Sequence, residues 1–342
     1  MKTGIVKDKR YFDHDMGLSH PESPRRLEAI YAMIDAGLPF SYELIEPRSA
    51  DEEEIKFVHA PEYVSLVKQT ADRERVILDP DTSTSPRSYE TALLAAGGAI
   101  KAVETIMEGK IRNGFALVRP PGHHAERNQA KGFCIFNNIA IAAEHLLRRH
   151  DLKRILIADW DLHHGNGTQN SFYFRNDVLF FSTHQFPYYP GSGSWDEVGE
   201  DEGEGFTVNV PLSPGKGNED YLFIYRNILG PIAAAYKPEF ILVSAGFDIY
   251  AGDPLGGMQI TGEGFAALAS ELIRLAKDHC GDKILFMLEG GYDPEGLTEG
   301  VKQVLLQLAG EGNIPALKAD ISIAARKEIA PVFDIQKKYW PL

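Results

Sequence analysis

The sequence predicts an α/β fold built on a mostly parallel sheet, and three observations predict it. Short runs rich in Val, Ile, Leu and Phe recur along the 342 residues and alternate with longer stretches of helical periodicity. These apolar runs are continuous rather than alternating, which is typical of strands covered on both faces. Polar, titratable residues and glycines follow several of the runs. We therefore expect a multi-stranded sheet with helices on both of its faces.

Seven strands and five helices follow from these patterns, with Ser85-Pro86 and Thr261 as helix-start signals. The predicted strands are Gly4–Lys7, Phe115–Val118, Ile155–Asp159, Val178–Thr183, Thr207–Val210, Phe240–Ala245 and Ile284–Leu288. The predicted helices are Pro24–Asp35, Pro86–Met107, Asn137–His150, Tyr221–Tyr236 and Gly262–Lys277.

Composition narrows the class of protein. The net charge of −14 argues against a nucleic-acid partner, which would need a basic face, and is compatible with a cationic substrate. The chain shows no linker, repeat or shift in composition, so a single domain over residues 1–342 is expected. No apolar run reaches the roughly 18 residues of a membrane span, and no signal peptide is visible. Cys134 and Cys280 form no CxxC pair, so a cytoplasmic, reducing setting is expected.

Polar side chains follow four of the predicted strands. Because the carboxyl ends of parallel strands lie at the edge where ligands bind, these side chains are expected at one site. The residues are His123 and His124; Asp159, Asp161 and His163; Asp248 and Asp253; and Glu289 and Tyr292.

The pair Asp161 and His163 indicates a metal site. The two residues are two positions apart, so their side chains point the same way in extended chain. With Asp248 from another strand they make three protein ligands and leave one position open, as in a catalytic zinc site. Such a metal polarises a carbonyl and lowers the pKa of a water. Asp159 is either a further ligand or a residue that orients an imidazole.

The remaining strand-end residues supply the other parts of a hydrolase. His123 and His124 are candidates for proton transfer, and Tyr292 is a candidate donor to a developing oxyanion. The alternative is that each is a structural residue, which the agreement of four strand ends makes the weaker interpretation. His164 is expected to be structural, and Cys134 is expected to pack in the core. No GxSxG or Walker motif supports a serine hydrolase or a phosphate-binding loop.

Five motifs in order resemble the zinc-dependent histone deacetylase family, from about His20 to about Gly310. The wording of the central motif is most similar to the class II branch and its bacterial deacetylase-like amidohydrolases. The resemblance implies the arginase/deacetylase fold and removal of acyl groups from Nε-acyl-lysine. The motifs are "RPPGHHAE", "GFCIFNN", "DWDLHHGNGTQ", "SAGFDIYAGDPLGG" and "EGGY".

The resemblance also implies a role for each site residue. It assigns the metal ligands, with Zn²⁺ as the ion and Fe²⁺ as the alternative. It gives Asn166 where some relatives carry an Asp that pairs with the second histidine, and this feature is shared by class II members. The implied roles are Asp161, His163 and Asp248 as ligands, His124 as general base and acid, His123 as its electrostatic partner, Asp159 as the acid that hydrogen-bonds His123, and Tyr292 as the residue that polarises the acyl carbonyl.

Substrate and potassium sites are implied in the same way. Phe133 and Tyr189 match the walls of an acyl-lysine tunnel, Gly132 a backbone contact, Asp81 a rim acid and Arg26 the lining of an internal pocket. One K⁺ is expected beside the metal at Asp159, Asp161, His163, Ser182 and Thr183, and a second near Phe172, Arg175 and Val178.

Leu255 bears on the choice of substrate. Polyamine-selective relatives carry Glu at this position, which would favour a second ammonium, whereas Leu favours an apolar stem. Acyl-lysine of a peptide or protein is therefore predicted over acetylpolyamine, although the acidic loop Asp196–Glu204 keeps the polyamine alternative open. A non-catalytic acyl-lysine-binding module would not need Tyr292 or the two histidines. An arginase-like binuclear enzyme would need more metal ligands than the motifs supply.

Overall fold

The computed structural model of the protein describes residues 2–17, 19–318 and 321–342. Within these ranges the chain forms ten strands and eleven α-helices. The strands are β1 (Thr3–Val6), β2 (Tyr42–Ile45), β3 (Val76–Asp79), β4 (Thr82–Thr84), β5 (Asn113–Ala116), β6 (Ile155–Asp159), β7 (Val178–Gln185), β8 (Thr207–Leu212), β9 (Phe240–Ala245) and β10 (Ile284–Leu288).

Eleven α-helices accompany the strands within the same ranges. Their bounds are α1 (Arg25–Asp35), α2 (Glu52–Ile55), α3 (Pro61–Lys68), α4 (Ser88–Met107), α5 (Asn138–Arg149), α6 (Asn166–Phe172), α7 (Asn218–Ile224), α8 (Gly230–Tyr236), α9 (Gly262–Cys280), α10 (Pro294–Ala309) and α11 (Ile323–Gln336).

The chain divides into two compact units. The first comprises Met1–Leu152, Asn166–Ser171 and Leu285–Gly290, and the second comprises Lys153–Gly165, Phe172–Ile284 and Gly291–Leu342. Eight strands form the sheet, with the order β2-β1-β5-β10 in the first unit and β9-β6-β7-β8 in the second. The single domain expected from composition stays a prediction.

The first unit buries its strands under long helices. Strand β1 pairs in parallel with β2 and β5, and β5 pairs in parallel with β10, which places Phe115 level with Ile5 and Phe286. All three of these side chains are fully buried. Helix α4 packs on this part of the sheet and on α5. The antiparallel hairpin β3–β4 lies outside the main sheet.

The second unit is centred on β6, which pairs in parallel with β7 and β9. Every residue of these three strands is buried, as expected for strands covered on both faces. Helix α9 packs against α7, α10 and β9. Helix α11 packs on β8, the edge strand of this unit.

Local sequence explains where the helices begin and end. Thr261 is the N-cap of α9, in agreement with the predicted start, and the left-handed Gly281 ends that helix. Asp293 caps α10 by accepting from the backbone N–H of Gly296, and Pro294 follows it at the first helical position.

The predicted α/β fold with a parallel sheet is confirmed, but several elements differ from the prediction. Strand β5 begins and ends two residues before the predicted Phe115–Val118. The single helix predicted over Tyr221–Tyr236 is interrupted by a π-helical turn at Tyr225–Leu229. The acidic segment Asp196–Glu204, which was expected to be a loop, includes a short 3₁₀ helix at Asp201–Gly203. Elements absent from the prediction are β2, β3, β4, α2, α3, α6, α10 and α11. None of the helices in the described ranges combines the length and the apolarity that a bilayer crossing requires.

Candidate metal and catalytic site

Three side chains of the second unit form a cluster that can hold a metal ion. Asp161 and His163 follow β6, and Asp248 follows its parallel neighbour β9. Each offers one ligand atom, and these atoms lie within 4.8 Å of one another. His163 Nδ1 is 3.2 Å from Asp161 Oδ1 and 3.2 Å from Asp248 Oδ2. The structure thus brings together the three residues predicted as ligands.

Backbone hydrogen bonds fix the turn that carries these ligands. Asp159 Oδ1 accepts from the N–H of Asp161 at 3.0 Å, and Asp161 Oδ1 accepts from the N–H of His163 at 2.9 Å. Asp248 Oδ1 accepts from the N–H of Leu162 at 2.9 Å. The close approach of Gly246 leaves no room for a side chain, because a Cβ there would lie 2.1 Å from Asp161 Oδ2. The ligands are therefore preorganised by their own loop.

The electrostatics of the cluster favour a cation. Burial by itself lowers the pKa of His163, but its hydrogen bonds to Asp161 and Asp248 outweigh that effect and raise the pKa to about 9. Burial and the nearby charge of Asp161 raise the pKa of Asp248. A positive charge between the two buried carboxylates therefore stabilises their ionised forms. One imidazole and two carboxylates are also a donor set suited to a divalent transition metal, so these residues fit the predicted ion.

The two predicted proton-transfer histidines lie together in the first unit. His123 and His124 are each 3% exposed, and their ring centroids are 4.0 Å apart. His124 Nδ1 lies 2.7 Å from Asn166 Oδ1. Asn166 Nδ2 donates to the carbonyl of His124 and to Glu126, so its amide oxygen faces the ring. Nδ1 of His124 then carries the proton, and the lone pair is on Nε2.

Glu289 fixes the turn before these histidines, a role that the sequence did not reveal. It follows β10, and its Oε2 accepts from the N–H of Gly122 at 2.7 Å and of His123 at 3.2 Å. Gly132 passes so close to His124 that a Cβ there would lie 2.2 Å from Cδ2 of the ring. Glu289 thus fixes the backbone before the histidine pair, and Gly132 lies against the His124 ring.

Phe133, predicted as a tunnel wall, is half-buried at a positive φ of 68°. Its ring meets that of His20 edge-on, with centroids 4.6 Å apart. The hairpin β3–β4 holds this segment, because Asp81 Oδ1 accepts from the N–H of Gly132 and Thr82 Oγ1 accepts from the N–H of Phe133. Asp81, predicted as a substrate-binding rim acid, thus holds the backbone next to Phe133 in the structure.

Arg26, predicted to line an internal pocket, is buried in a charged network. Its guanidinium donates to the carbonyl of Glu289 at 2.5 Å and lies 3.3 Å from Glu22 Oε1. Glu22 also pairs with the fully buried Arg119 through two hydrogen bonds. Burial raises the pKa of Glu22, but the charge of Arg119 outweighs it and lowers the pKa to about 2. Arg119 opens the "RPPGHHAE" motif, but no role was predicted for it or for Glu22.

Two tyrosines of the second unit contact His163, one of the predicted metal ligands. Tyr189, the predicted wall residue, meets the His163 ring edge-on at 6.0 Å between centroids. Tyr188, which was not predicted, stacks on the same ring at 5.6 Å with 24° between the planes. Its hydroxyl donates to the carbonyl of Leu255 at 3.0 Å. Tyr292 is half-buried, and its N–H donates to Asp253 Oδ2 at 2.6 Å.

The residues predicted to bind potassium lie in the second unit. Asp159, Ser182, Thr183, Phe172 and Val178 are buried, and Arg175 forms an ion pair with Asp177. The hydroxyl of Ser182 is 2.9 Å from His184 Nδ1. His164 is buried and bonds Ser192 through Nδ1, in keeping with the structural role expected for it.

Comparison with known proteins finds relatives that are named as deacetylases. A model of the histone deacetylase domain matches residues 20–308. A probable deacetylase of Archaeoglobus fulgidus is 38% identical, with 99% of both chains covered. Histone deacetylase 15 of Arabidopsis thaliana is 40% identical over 94% of this chain, and mouse polyamine deacetylase HDAC10 is 42% identical over 93%. This chain spans 59% and 49% of those two proteins. A crystal structure of the HDA15 HD domain matches with a TM-score of 0.93 at 38% identity, covering 100% of this chain and 97% of that one.

Proposed function

The chain belongs to the histone deacetylase family, and from that premise we propose that this deacetylase removes acyl groups from Nε-acyl-lysine of peptides or proteins. The observation that carries the proposal is the cluster of Asp161, His163 and Asp248, with its two buried carboxylates and one imidazole. A zinc ion held there would polarise the acyl carbonyl and lower the pKa of a water molecule. Fe²⁺ is the alternative ion for the same donors.

We propose that His124 moves the proton. Its Nδ1 is engaged by Asn166, so Nε2 accepts the proton of the attacking water and later donates it to the departing lysine amine. His123 lies beside it at 4.0 Å between ring centroids and stabilises the charge distribution of the pair. The neutral Asn166 makes this imidazole less basic than a carboxylate partner would.

We propose that Tyr292 stabilises the transition state. Its phenol O–H donates to the acyl oxygen as negative charge develops there, and such donors contribute about 10²- to 10³-fold to kcat. Tyr292→Phe should therefore lower kcat by a factor of this order and leave the metal content unchanged. Tyr42→Phe, on the edge strand β2 of the other unit, is the matched control and should keep full activity. Unchanged turnover of Tyr292→Phe would refute the mechanism.

The substrate proposal rests on the loop that carries Leu255. Leu255 offers an apolar side chain where a carboxylate would reward a second ammonium, and its carbonyl is bound by Tyr188. Acyl-lysine is therefore preferred over acetylpolyamine, although a relative is named a polyamine deacetylase. The test compares kcat/KM for an acetyl-lysine peptide and for acetylputrescine. A clear preference for the polyamine would overturn the lysine proposal.

Metal content and turnover together test the central proposal. The purified protein should hold about one zinc per chain and hydrolyse a fluorogenic acetyl-lysine peptide, and a hydroxamate chelator should inhibit it. Bound zinc without turnover on lysine, polyamine or ester substrates would favour a non-catalytic acyl-lysine-binding module instead.

A potassium requirement is also proposed from the family resemblance. The first K⁺ would be held at Asp159, Asp161, His163, Ser182 and Thr183, and the second near Phe172, Arg175 and Val178. Activity measured as KCl replaces NaCl at constant ionic strength tests this, and identical rates in both salts would argue against it.

A further inference from the structure

We propose that Asp253 is a positioning residue that fixes the backbone of Tyr292 and ties it to the loop carrying Leu255. The proposal rests on the function proposed for Tyr292. Asp253 lies beyond β9 and is only 7% exposed. It belongs to the second unit, as do Tyr292 and Leu255. Its motif position was visible in the sequence, but its role was not.

The two carboxylate oxygens of Asp253 serve two different segments. Oδ2 accepts from the N–H of Tyr292 at 2.6 Å and of Asp293 at 3.2 Å. Oδ1 accepts from the N–H of Leu255 at 2.9 Å. Burial and the nearby charge of Asp248 raise the pKa of Asp253 to about 7, and the three backbone N–H groups that donate to it favour the ionised form. One buried side chain therefore sets the relative placement of the two segments.

The segment at Tyr292 needs such an anchor. It joins β10 to α10 and passes through Gly291, which has a φ of +117°. Asp293 uses its own carboxylate to cap α10. The backbone N–H groups of residues 292 and 293 both donate hydrogen bonds to Asp253. These bonds fix the position of the Tyr292 main chain.

The segment at Leu255 extends the connection to the metal cluster. The Leu255 carbonyl accepts from the Tyr188 hydroxyl, and the Tyr188 ring stacks on His163. Contacts thus run without interruption from His163 through Tyr188, Leu255 and Asp253 to Tyr292. The proposed oxyanion donor and the Leu255 loop are thus connected to His163 by side-chain and backbone contacts.

Asp253 acts through Tyr292 and not as a ligand. Among the described residues the potential metal ligands that lie together are Asp161, His163 and Asp248. Both Asp253 oxygens are directed at backbone N–H groups instead. A carboxylate placed in this way affects the transition state by keeping the donor in position, so its loss should act on kcat more than on KM.

The test is a double-mutant cycle between Asp253→Asn and Tyr292→Phe. The Asn amide keeps the size of the side chain, but its nitrogen cannot accept a hydrogen bond. We expect Asp253→Asn to lower kcat by about 10- to 100-fold, the cost of leaving a buried backbone N–H without its acceptor, with little change in KM and with zinc retained. In the Tyr292→Phe background the same change should cost less than about three-fold, because the donor is already gone.

A matched control separates positioning from general stability. Asp220 is also 7% exposed in the same unit and also accepts from two backbone N–H groups, those of Gly217 and Ser322. Asp220→Asn should lower Tm but leave kcat near the wild-type value. Hydrogen–deuterium exchange should accelerate in the peptide covering residues 290–296 in Asp253→Asn and not in Asp220→Asn.

Three results would overturn the proposal: full additivity of the two substitutions, a loss confined to KM, or unchanged exchange of the 290–296 peptide. Unchanged turnover of Tyr292→Phe alone would instead refute the proposed function. If Asp253→Asn does not fold, Asp253→Glu keeps the charge and displaces the oxygens by one methylene, and the same cycle and outcomes apply to it.

Discussion

The proton on His163 makes metal binding depend on pH, and the structure gives the size of the effect. The two carboxylates that would hold the ion raise the pKa of this imidazole to about 9 in the metal-free cluster. The ligand must be neutral to bind, so the ion has to displace one proton. Affinity should therefore rise about tenfold per pH unit up to about pH 9.

The magnitude follows from the distance between pH 7 and the pKa. At pH 7 about one molecule in 100 has a neutral His163, which weakens binding about 100-fold, or by ~2.7 kcal/mol, relative to the limit at high pH. A histidine with the ordinary pKa near 6.5 would give only about a 1.3-fold change between pH 7 and 8. The expected change over that interval is about tenfold, so the two cases are easy to tell apart.

The assay is competition for Zn²⁺ against a chromophoric chelator of known pH dependence at pH 7.0, 7.5 and 8.0. The matched control is His279→Gln, a half-buried histidine near the end of α9, which should keep the same slope. An NMR titration of the metal-free protein, assigned with His163→Gln, should find the midpoint near pH 9. A slope near zero between pH 7 and 8, or a midpoint near 6.5, would refute the reasoning.

The same proton affects the stability of the metal-free fold. Because the folded pKa of His163 lies above its unfolded value, its contribution to the free energy of unfolding is fully present below about pH 6.5. That contribution is lost as the pH rises through about 9. A bound metal should therefore contribute more to the free energy of unfolding at alkaline pH, where the His163 proton no longer reduces the repulsion between the two carboxylates.

Three further substitutions test the site. Gly246→Ala puts a Cβ 2.1 Å from Asp161 Oδ2, and overpacking of about 1–3 kcal/mol should weaken zinc binding about 10- to 100-fold in the same competition assay. Gly132→Ala combines a φ of +56° with a Cβ 2.2 Å from the His124 ring, so denaturant unfolding should show a loss of about 2 kcal/mol or more, with a fall in kcat. Asn166→Asp places a negative charge 2.7 Å from His124 Nδ1, which should move the acidic limb of the kcat/KM profile up by about one pH unit; an unmoved limb would contradict the role given to that imidazole.

Strands with continuous apolar sequences were predictable from the sequence, and exposed edges were not. The observed β6, β9 and β10 have the predicted bounds, because each is an apolar run that ends in polar or glycine-rich chain. Strand β2 was missed because it is only four residues long and lies at the edge of the sheet, where the exposed Glu43 interrupts the apolar pattern. Helix α11 was missed because Pro331 lies inside it and its burial is sparse.

The same distinction applies to the candidate site. Asp161, His163 and Asp248 were predictable because their side chains are chemically distinctive and follow strands whose carboxyl ends lie at the same edge of a parallel sheet. Glu289 and Asp253 act on backbone N–H groups of distant segments, and those groups are identical at every position of a sequence. Tyr188 was overlooked for a related reason: its stacking on His163 depends on the path of a loop and not on residue type.

The division of chemical duties between the two compact units has a consequence for substitutions. The ion-holding triad and Tyr292 belong to one unit, whereas the histidine pair and Asn166 belong to the other. On the mechanism proposed above, substitutions in the histidine-bearing unit would end turnover and leave every residue of the proposed ion-holding triad in place.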